Sequence, residues 1–429
     1  MPLSRRRFLQ SLAIGALPLG ACQTLSLKNA KAHVVVVGGG FGGATAAKTL
    51  RLLDSNMRVT LIEPKTHYLT CPGSNGVFAG LTALDKLTVD YQALHNQYGV
   101  ERIVDRVNEI RAAHRQLTLA GGQSIAYDRL ILSPGIAFRW DAIDGYNQET
   151  AKTFPHAWQA GPQTALLNQQ LQNLRQGGVV LIAAPPDPYR CPPGPYERAS
   201  MMAWWLKQHN PRAKILILDP KRSFSKQALF EAGWAKHYGY GTADSLIEWH
   251  CLADNPITQL DANSNTLVTD FGDRFSGDVL NIIPPQTAAN VALENGLTDQ
   301  TGWCPVKPQT SQSLFDEHIH IIGDAAQFAP MPKSAFAANS EAKMCAIAVV
   351  GLINDLQMTE PNWMNTCYSL ITPKHGISVA GVYALDAKRA IAAVTGSGGV
   401  SHSALANFVE LEAGYALSAY HALVKNSFA

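Results

Sequence analysis

Residues 33–50 read HVVVVGGGFGGATAAKTL, and few other patterns restrict a fold as tightly. Four consecutive valines suit a strand covered on both faces. The alanine-rich run after the glycines suits a helix. Gly38, Gly40 and Gly43 fall at the G-x-G-x-x-G spacing. The first permits a tight turn, the second lets backbone approach a pyrophosphate, and the third lets helix pack closely on strand. The helix N-terminus then presents free N–H groups and its positive dipole end to the phosphates. A second strand, RVTLIE, ends at Glu63, where an acid accepts hydrogen bonds from ribose hydroxyls. This strand–turn–helix–strand order predicts a parallel sheet that binds a dinucleotide at its carboxyl edge.

Two later segments complete such a site. YDRLILSPG (127–135) reads as a strand ending in a turn beside the cofactor, and HIHIIGDAA (318–326) as a strand running into Gly323-Asp324. In flavoproteins built from two dinucleotide domains, a late Gly-Asp holds the ribityl chain of FAD. The alternative for Asp324 is an N-cap on the helix that follows. Between these segments lies a second βαβ unit: GGVVLIAA (177–184), PYERASMMAWWLKQH (195–209) and KILILDP (214–220). Where its glycine loop belongs, the chain has six prolines among residues 185–195. Proline offers no N–H to a phosphate, so the unit reads as a nucleotide fold without its nucleotide site. At 429 residues the chain exceeds a single core. The expected fold is α/β: two Rossmann-like βαβ domains plus a C-terminal domain. The expected divisions are 1–31 (export signal and linker), 32–148 (FAD domain, first part), 149–282 (NAD-like domain), 283–360 (FAD domain, second part) and 361–429 (C-terminal domain, with a helix near 404–424).

Ser4-Arg5-Arg6-Arg7-Phe8-Leu9-Gln10 resembles a twin-arginine export signal, and the apolar stretch 11–21 after it is too short to span a bilayer. Export to the periplasm is expected. Leu19-Gly20-Ala21-Cys22 looks like a lipobox, which makes Cys22 a candidate lipid tether. No other stretch reads as membrane-spanning. The formal charge of +2 includes three arginines of the signal, so there is no basic excess for nucleic acid. The thirteen histidines include no H-x-x-x-H pair, and no metal site is expected. No C-x-x-C-H occurs, so the chain carries no haem and its electrons need a separate acceptor. Of the seven cysteines, Cys345 in MCAIAVVGL reads as a packed small hydrophobe, and Cys251 and Cys304 have no legible role.

RCPPGPYERAS (190–200) and NTCYS (365–369), with YLTCPGSN, IEWH, NIIPPQ, GWCPV and MPKSAFAANS, resemble the flavoprotein subunits of flavocytochrome c sulfide dehydrogenases over essentially the whole chain. The resemblance implies a glutathione-reductase-like fold with a C-terminal interface domain. It implies FAD-dependent oxidation of sulfide to elemental sulfur or polysulfide, with electrons passed to a c-type cytochrome subunit or soluble cytochrome c. Residue by residue, it implies that Cys71 bonds covalently to the flavin, that Cys191 and Cys367 form a redox disulfide beside the flavin ring, and that Glu197 lies over the flavin. The chain departs from the family at Pro72-Gly73 and at Ala419, where the family has bulkier residues and a tryptophan. A disulfide is an electrophile toward hydrosulfide; the plainer reading of such a bond is a structural staple. Glu197 reads as a proton-handling or potential-setting acid, or as a helix-start carboxylate favoured by the macrodipole. Arg190 and Arg198 read as attractors of hydrosulfide or, more plainly, as surface charge. Two other functions stay open: a sulfide:quinone oxidoreductase, and a non-catalytic flavin-binding assembly factor.

Overall fold

The computed structural model describes residues 32–402 and 407–429. The expected export signal and linker, and the candidate lipid tether Cys22, lie outside the described residues.

The chain first lays down β1 (His33–Val37), α1 (Phe41–Leu53), β2 (Arg58–Ile62), β3 (Glu101–Ile103) and β4 (Arg129–Leu132). It then leaves to form β5 (Val179–Ala183), α2 (Gly194–His209), β6 (Lys214–Asp219), α3 (Gln227–Tyr238), β7 (Ile247–Cys251) and β8 (Val279–Ile282). It returns with β9 (Ile319–Ile321) and α4 (Ala335–Ile353). A hairpin of β10 (Asn362–Thr372) and β11 (His375–Leu385) follows, then α5 (Phe408–Phe428).

The first sheet is parallel in the order β9-β4-β1-β2-β3, and the second is parallel in the order β7-β6-β5-β8. These are the two expected Rossmann-like domains, and the hairpin and α5 make the third. β1 and β5 each lie inside their sheet, which is why both are continuous apolar runs; Val34–Val36 and Val180–Ile182 are fully buried. The chain order reverses at β1, between β4 and β2, and ligands of such sheets bind at the carboxyl edge beside that reversal.

α4 is long and apolar enough to cross a membrane by composition, against the sequence expectation. Its apolarity serves packing: it lies on α1 and β10, and 56% of its most apolar window is buried. The end of α5 is pinned to the same place, where buried Asn339 donates to Thr45 Oγ1 at 2.7 Å and to Ser427 Oγ at 3.0 Å. β10 also packs on α2, so the hairpin joins the two nucleotide-type domains and carries Cys367 between them.

Candidate active site

The turn between β1 and α1 leaves no room for a side chain at Gly38 or Gly43. Gly38 has φ +97°, and a Cβ there would lie 2.2 Å from the Ser133 carbonyl oxygen; one on Gly43 would lie 1.8 Å from the Gly38 oxygen. At Gly40 the nearest protein atom to such a Cβ is 3.6 Å away, so the space beside it is free for a ligand. The Gly39 N–H donates to Glu63 Oε2 at 2.8 Å, which holds the half-buried acid beside the turn. On β9's exit, Gly323 (φ +73°) donates its N–H to the buried Glu341 carboxylate at 2.6 Å. Asp324 Oδ1 is buried with no protein partner. Burial pushes the Asp324 carboxyl up, opposed by Arg190 and then Lys333. Asp324 is not the cap of the next helix: α4 starts at Ala335, and Ser334 Oγ accepts from the Ala337 N–H at 3.0 Å. Bare glycine backbone for phosphates, an acid for ribose and an unpaired acid for a polyol chain fit FAD.

The equivalent place in the second sheet is filled. Asp219 ends β6 as Glu63 follows β2, but it is fully buried. Its carboxylate accepts from Tyr196 Oη at 2.6 Å and Trp249 Nε1 at 2.9 Å, and pairs with Lys221 at 2.6 Å. Lys221 also donates to the Pro185 carbonyl at 2.6 Å, which ties down the proline loop. Phe224 stacks on Tyr196 with ring centroids 3.7 Å apart.

The proline loop instead presents Cys191, which sits at φ +60° with its N–H on the Lys333 carbonyl at 2.8 Å. β10 presents Cys367, opposite Val379 across the hairpin. The two sulfurs are within electrostatic range and both are half-buried. Burial raises both thiols; Cys367 and Glu197 raise Cys191 further, while Lys226 opposes the rise at Cys367. The expected disulfide is not formed: Cys191 and Cys367 are free thiols, as are the four other described cysteines. Each is held by its own neighbours, Cys191 by Lys333 and the Gly194 turn, Cys367 by its strand and by Asn365, 3.8 Å from its Sγ.

Glu197 is no free helix-start carboxylate. Oε1 accepts the Leu370 N–H at 3.0 Å and Oε2 accepts from Asn75 Nδ2 at 2.9 Å, so it ties β10 to α2 and to the segment after Cys71. Burial pushes its carboxyl up. Arg198 is not surface charge: at 2% exposure it donates to His156 O, Ala157 O, Asn281 Oδ1 and Asn75 Oδ1. Its guanidinium lies 5.0 Å from the Trp158 ring centroid, and burial lowers its pKa to about 10. Arg190 is half-buried, donates to the Trp158 carbonyl, and faces Cys71 and Asp324. Cys71 is half-buried with its Sγ 3.8 Å from that same carbonyl. Next to it, Thr70 Oγ1 shares a 2.8 Å hydrogen bond with Tyr420 Oη, the neighbour of Ala419. Arg190 thus links the Asp324 end of the cradle to Cys71 and Cys191.

Sequence reasoning missed Asn75, Lys226 and Glu341, which bond to site residues distant in the chain through polar contacts that leave no spacing pattern. Lys333 lies in a quoted motif, yet nothing there signals its carbonyl bond to Cys191. Cys304 and Cys345 are buried in the cores, and Cys251 is exposed. No cluster of three or more His, Cys, Asp or Glu that could hold a metal occurs among the described residues.

The family model for the central part of the sulfide dehydrogenase (flavocytochrome c) flavoprotein chain matches residues 164–284. That for the flavocytochrome c sulphide dehydrogenase flavin-binding region matches 359–428, and one for pyridine nucleotide-disulphide oxidoreductases matches 32–170. The sulfide dehydrogenase (flavocytochrome c) flavoprotein chain of Chlorobaculum thiosulfatiphilum is 68% identical over 45 residues, 10% of this chain and 94% of that sequence. The mitochondrial sulfide:quinone oxidoreductase of Mus musculus is 26% identical over 340 residues, 74% of this chain and 70% of its own. The solved sulfide:quinone oxidoreductase of Aquifex aeolicus superposes with a TM-score of 0.71 at 17% identity, over 92% of both chains. The flavin-binding match and the cradle agree on FAD. The expected transfer through a redox disulfide to a c-type cytochrome is corrected: the two sulfurs are unbonded thiols, and the mouse and Aquifex aeolicus proteins, matched over 74% and 92% of this chain, are sulfide:quinone oxidoreductases.

Proposed function

We propose a function from one premise: the chain belongs to the flavocytochrome c sulfide dehydrogenase family of flavoproteins. It is an FAD-linked oxidoreductase for a sulfide-type substrate, and in our reading its electrons leave to a quinone. The observation that carries this reading is the meeting of two free thiols beside the FAD cradle, Cys191 from the loop that a second nucleotide would otherwise occupy and Cys367 from β10. The names of the long matches, in mouse and Aquifex aeolicus, support the quinone.

FAD, when bound, supplies a two-electron acceptor that can pass its electrons onward. Gly38–Gly43 and Glu63 would hold its diphosphate and ribose, and Asp324 its polyol chain. Arg190 puts a fixed positive charge beside Cys191 and draws hydrosulfide in. One thiol and one hydrosulfide give a persulfide, with release of one proton and two electrons. Glu197 keeps the Cys367 strand in register on α2 while this happens. Burial keeps water from the sulfur.

The reading extends to a covalent bond between FAD and Cys71, which lies in the cleft near Arg190 and Tyr68. Acid precipitation of the purified protein should leave the yellow colour in the pellet, and Cys71→Ser should release it to the supernatant. Colour in the supernatant from the unaltered protein sinks the covalent bond only.

The function is tested by anaerobic sulfide titration of the flavin spectrum, followed by a soluble quinone analogue or cytochrome c. Bleaching by sulfide and return of colour with the quinone are expected. No bleaching, or return with cytochrome c alone, overturns the reading.

A further inference from the structure

The last turns of α5 reach back to the FAD turn. Tyr420, Leu423, Val424, Ser427 and Phe428 recur at helical spacing and make one inward face, whereas Leu411, Tyr415 and Leu417 earlier in the helix are exposed. α1 fastens this end. Lys48 Nζ donates to the Asn426 carbonyl at 3.1 Å and to the Ala429 carbonyl, which satisfies last-turn acceptors that no later helical N–H reaches. Thr45 Oγ1 donates to Ser427 Oγ at 3.0 Å.

Phe428 is thereby set among three aromatic rings and is 3% exposed. Its centroid lies 5.3 Å from Phe41, 5.5 Å from Tyr68, on which it stacks, and 6.1 Å from Tyr91. Each of the three meets the glycine turn. Phe41 follows Gly40 and opens α1. Tyr68 Oη is the protein atom 3.6 Å from the place a Cβ on Gly40 would take. Tyr91 Oη donates to the Gly39 carbonyl at 2.9 Å, and the same Gly39 gives its N–H to Glu63. The three rings come from separate segments, and Phe428 is their common neighbour. Glycine backbone is conformationally permissive, so the turn takes its rigidity from what stands behind it. We propose that Phe428 is a positioning residue for FAD. Docked, it fixes Phe41, Tyr68 and Tyr91, and through them the Gly39–Gly40 backbone of the cradle. Undocked, it leaves the turn loose and FAD weakly held. Docking of the end of α5 and binding of FAD are then linked, and such a coupling acts equally in both directions. The inference uses FAD binding alone and none of the sulfur chemistry.

The test is FAD titration of the full-length Cys71→Ser apoprotein, followed by flavin fluorescence, so that no covalent bond hides the equilibrium. Adding Phe428→Ala should raise the Kd for FAD roughly tenfold or more. Phe428→Leu refills most of the space and should recover most of the affinity. Phe230→Ala is the comparison: Phe230 is fully buried in the core of the second sheet, and its loss should lower thermal stability while FAD affinity stays. The reciprocal readout is hydrogen exchange in the chain that keeps Phe428. FAD should slow exchange of the amides of residues 420–429 by about the same factor, while those of α3 change little. Unaltered FAD affinity in well-folded Phe428→Ala overturns the proposal. An equal loss of affinity in Phe230→Ala also overturns it, because it marks a general loss of stability. If Phe428→Ala does not fold, exchange decides: selective slowing at the end of α5 supports the proposal, and exchange there that ignores FAD overturns it. No sulfide is used, so failure of sulfide to bleach the flavin falls on the proposed function alone.

Discussion

The two βαβ units of this chain share a backbone plan and differ in what stands at their carboxyl edges. After β1 the chain turns on Gly38 and opens a cradle, with Glu63 half-exposed beside it. After β5 it runs through prolines, and the corresponding acid, Asp219, is sealed by Tyr196, Trp249 and Lys221. A Rossmann-like fold therefore predicts where a ligand would sit, and only the atoms at the edge decide whether one does. Here one edge keeps the dinucleotide and the other, closed to it, presents Cys191.

The comparison can be broken most sharply at the thiols. In the proposed function Cys191→Ser and Cys367→Ser should each cut sulfide-dependent flavin reduction on the order of 10³-fold, with the double variant little worse, as groups acting together are non-additive. FAD content should be unchanged. Stopped-flow traces with well-folded single variants near full rate would break the link between the closed edge and the chemistry.

Next in size is the closed edge itself. Asp219→Ala leaves the Lys221 ammonium buried and unpaired, and should lower stability by about 3–5 kcal/mol in denaturant unfolding without changing bound FAD. Loss of FAD at unchanged stability would mean that Asp219 serves a ligand.

A pH effect follows from His156, buried at the joint between the units. Burial, then Arg198 and Arg190, lower its pKa from 6.5 to about 3. The folded-state value lies below the unfolded one, so the unfolded chain binds the proton first. The stability is present above pH 6.5 and is lost as pH falls toward 3, by about 2 kcal/mol at pH 5. His156→Gln should flatten that part of the profile; an unchanged acid limb in unfolding titrations would contradict the assignment.

The smallest effect sharpens the open edge. Gly40→Ala fits the protein, since its Cβ would stay 3.6 Å from Tyr68, but it intrudes on the space for the diphosphate. FAD affinity should fall roughly tenfold or more with thermal stability of the apoprotein unchanged. Equal affinity, measured by flavin fluorescence, would place the diphosphate elsewhere.

The open edge was legible in the sequence because its chemistry depends on glycine, and a missing side chain at fixed spacing is visible in one dimension. The closed edge was legible only as an absence, a proline run where amides belong. What fills it, Tyr196, Phe224 and Trp249, is ordinary aromatic packing from three separate elements. Arg198 was misjudged for the same reason: its partners at His156, Ala157 and Asn281 are about 40 to 80 residues away and carry no pattern. The disulfide expectation came from resemblance, and resemblance conveys which residues meet better than it conveys the bond between them. The hairpin of β10 and β11 went unread because its burial does not alternate cleanly where Cys367 lies.

The central claim is that one edge binds FAD and the other serves sulfur, and a single stopped-flow experiment reaches both halves. Anaerobic protein is mixed in turn with sulfide and with NADH at micromolar concentration, and the flavin absorbance is followed. The account predicts fast bleaching by sulfide and none by NADH. Bleaching by NADH that matches or outruns sulfide would contradict it.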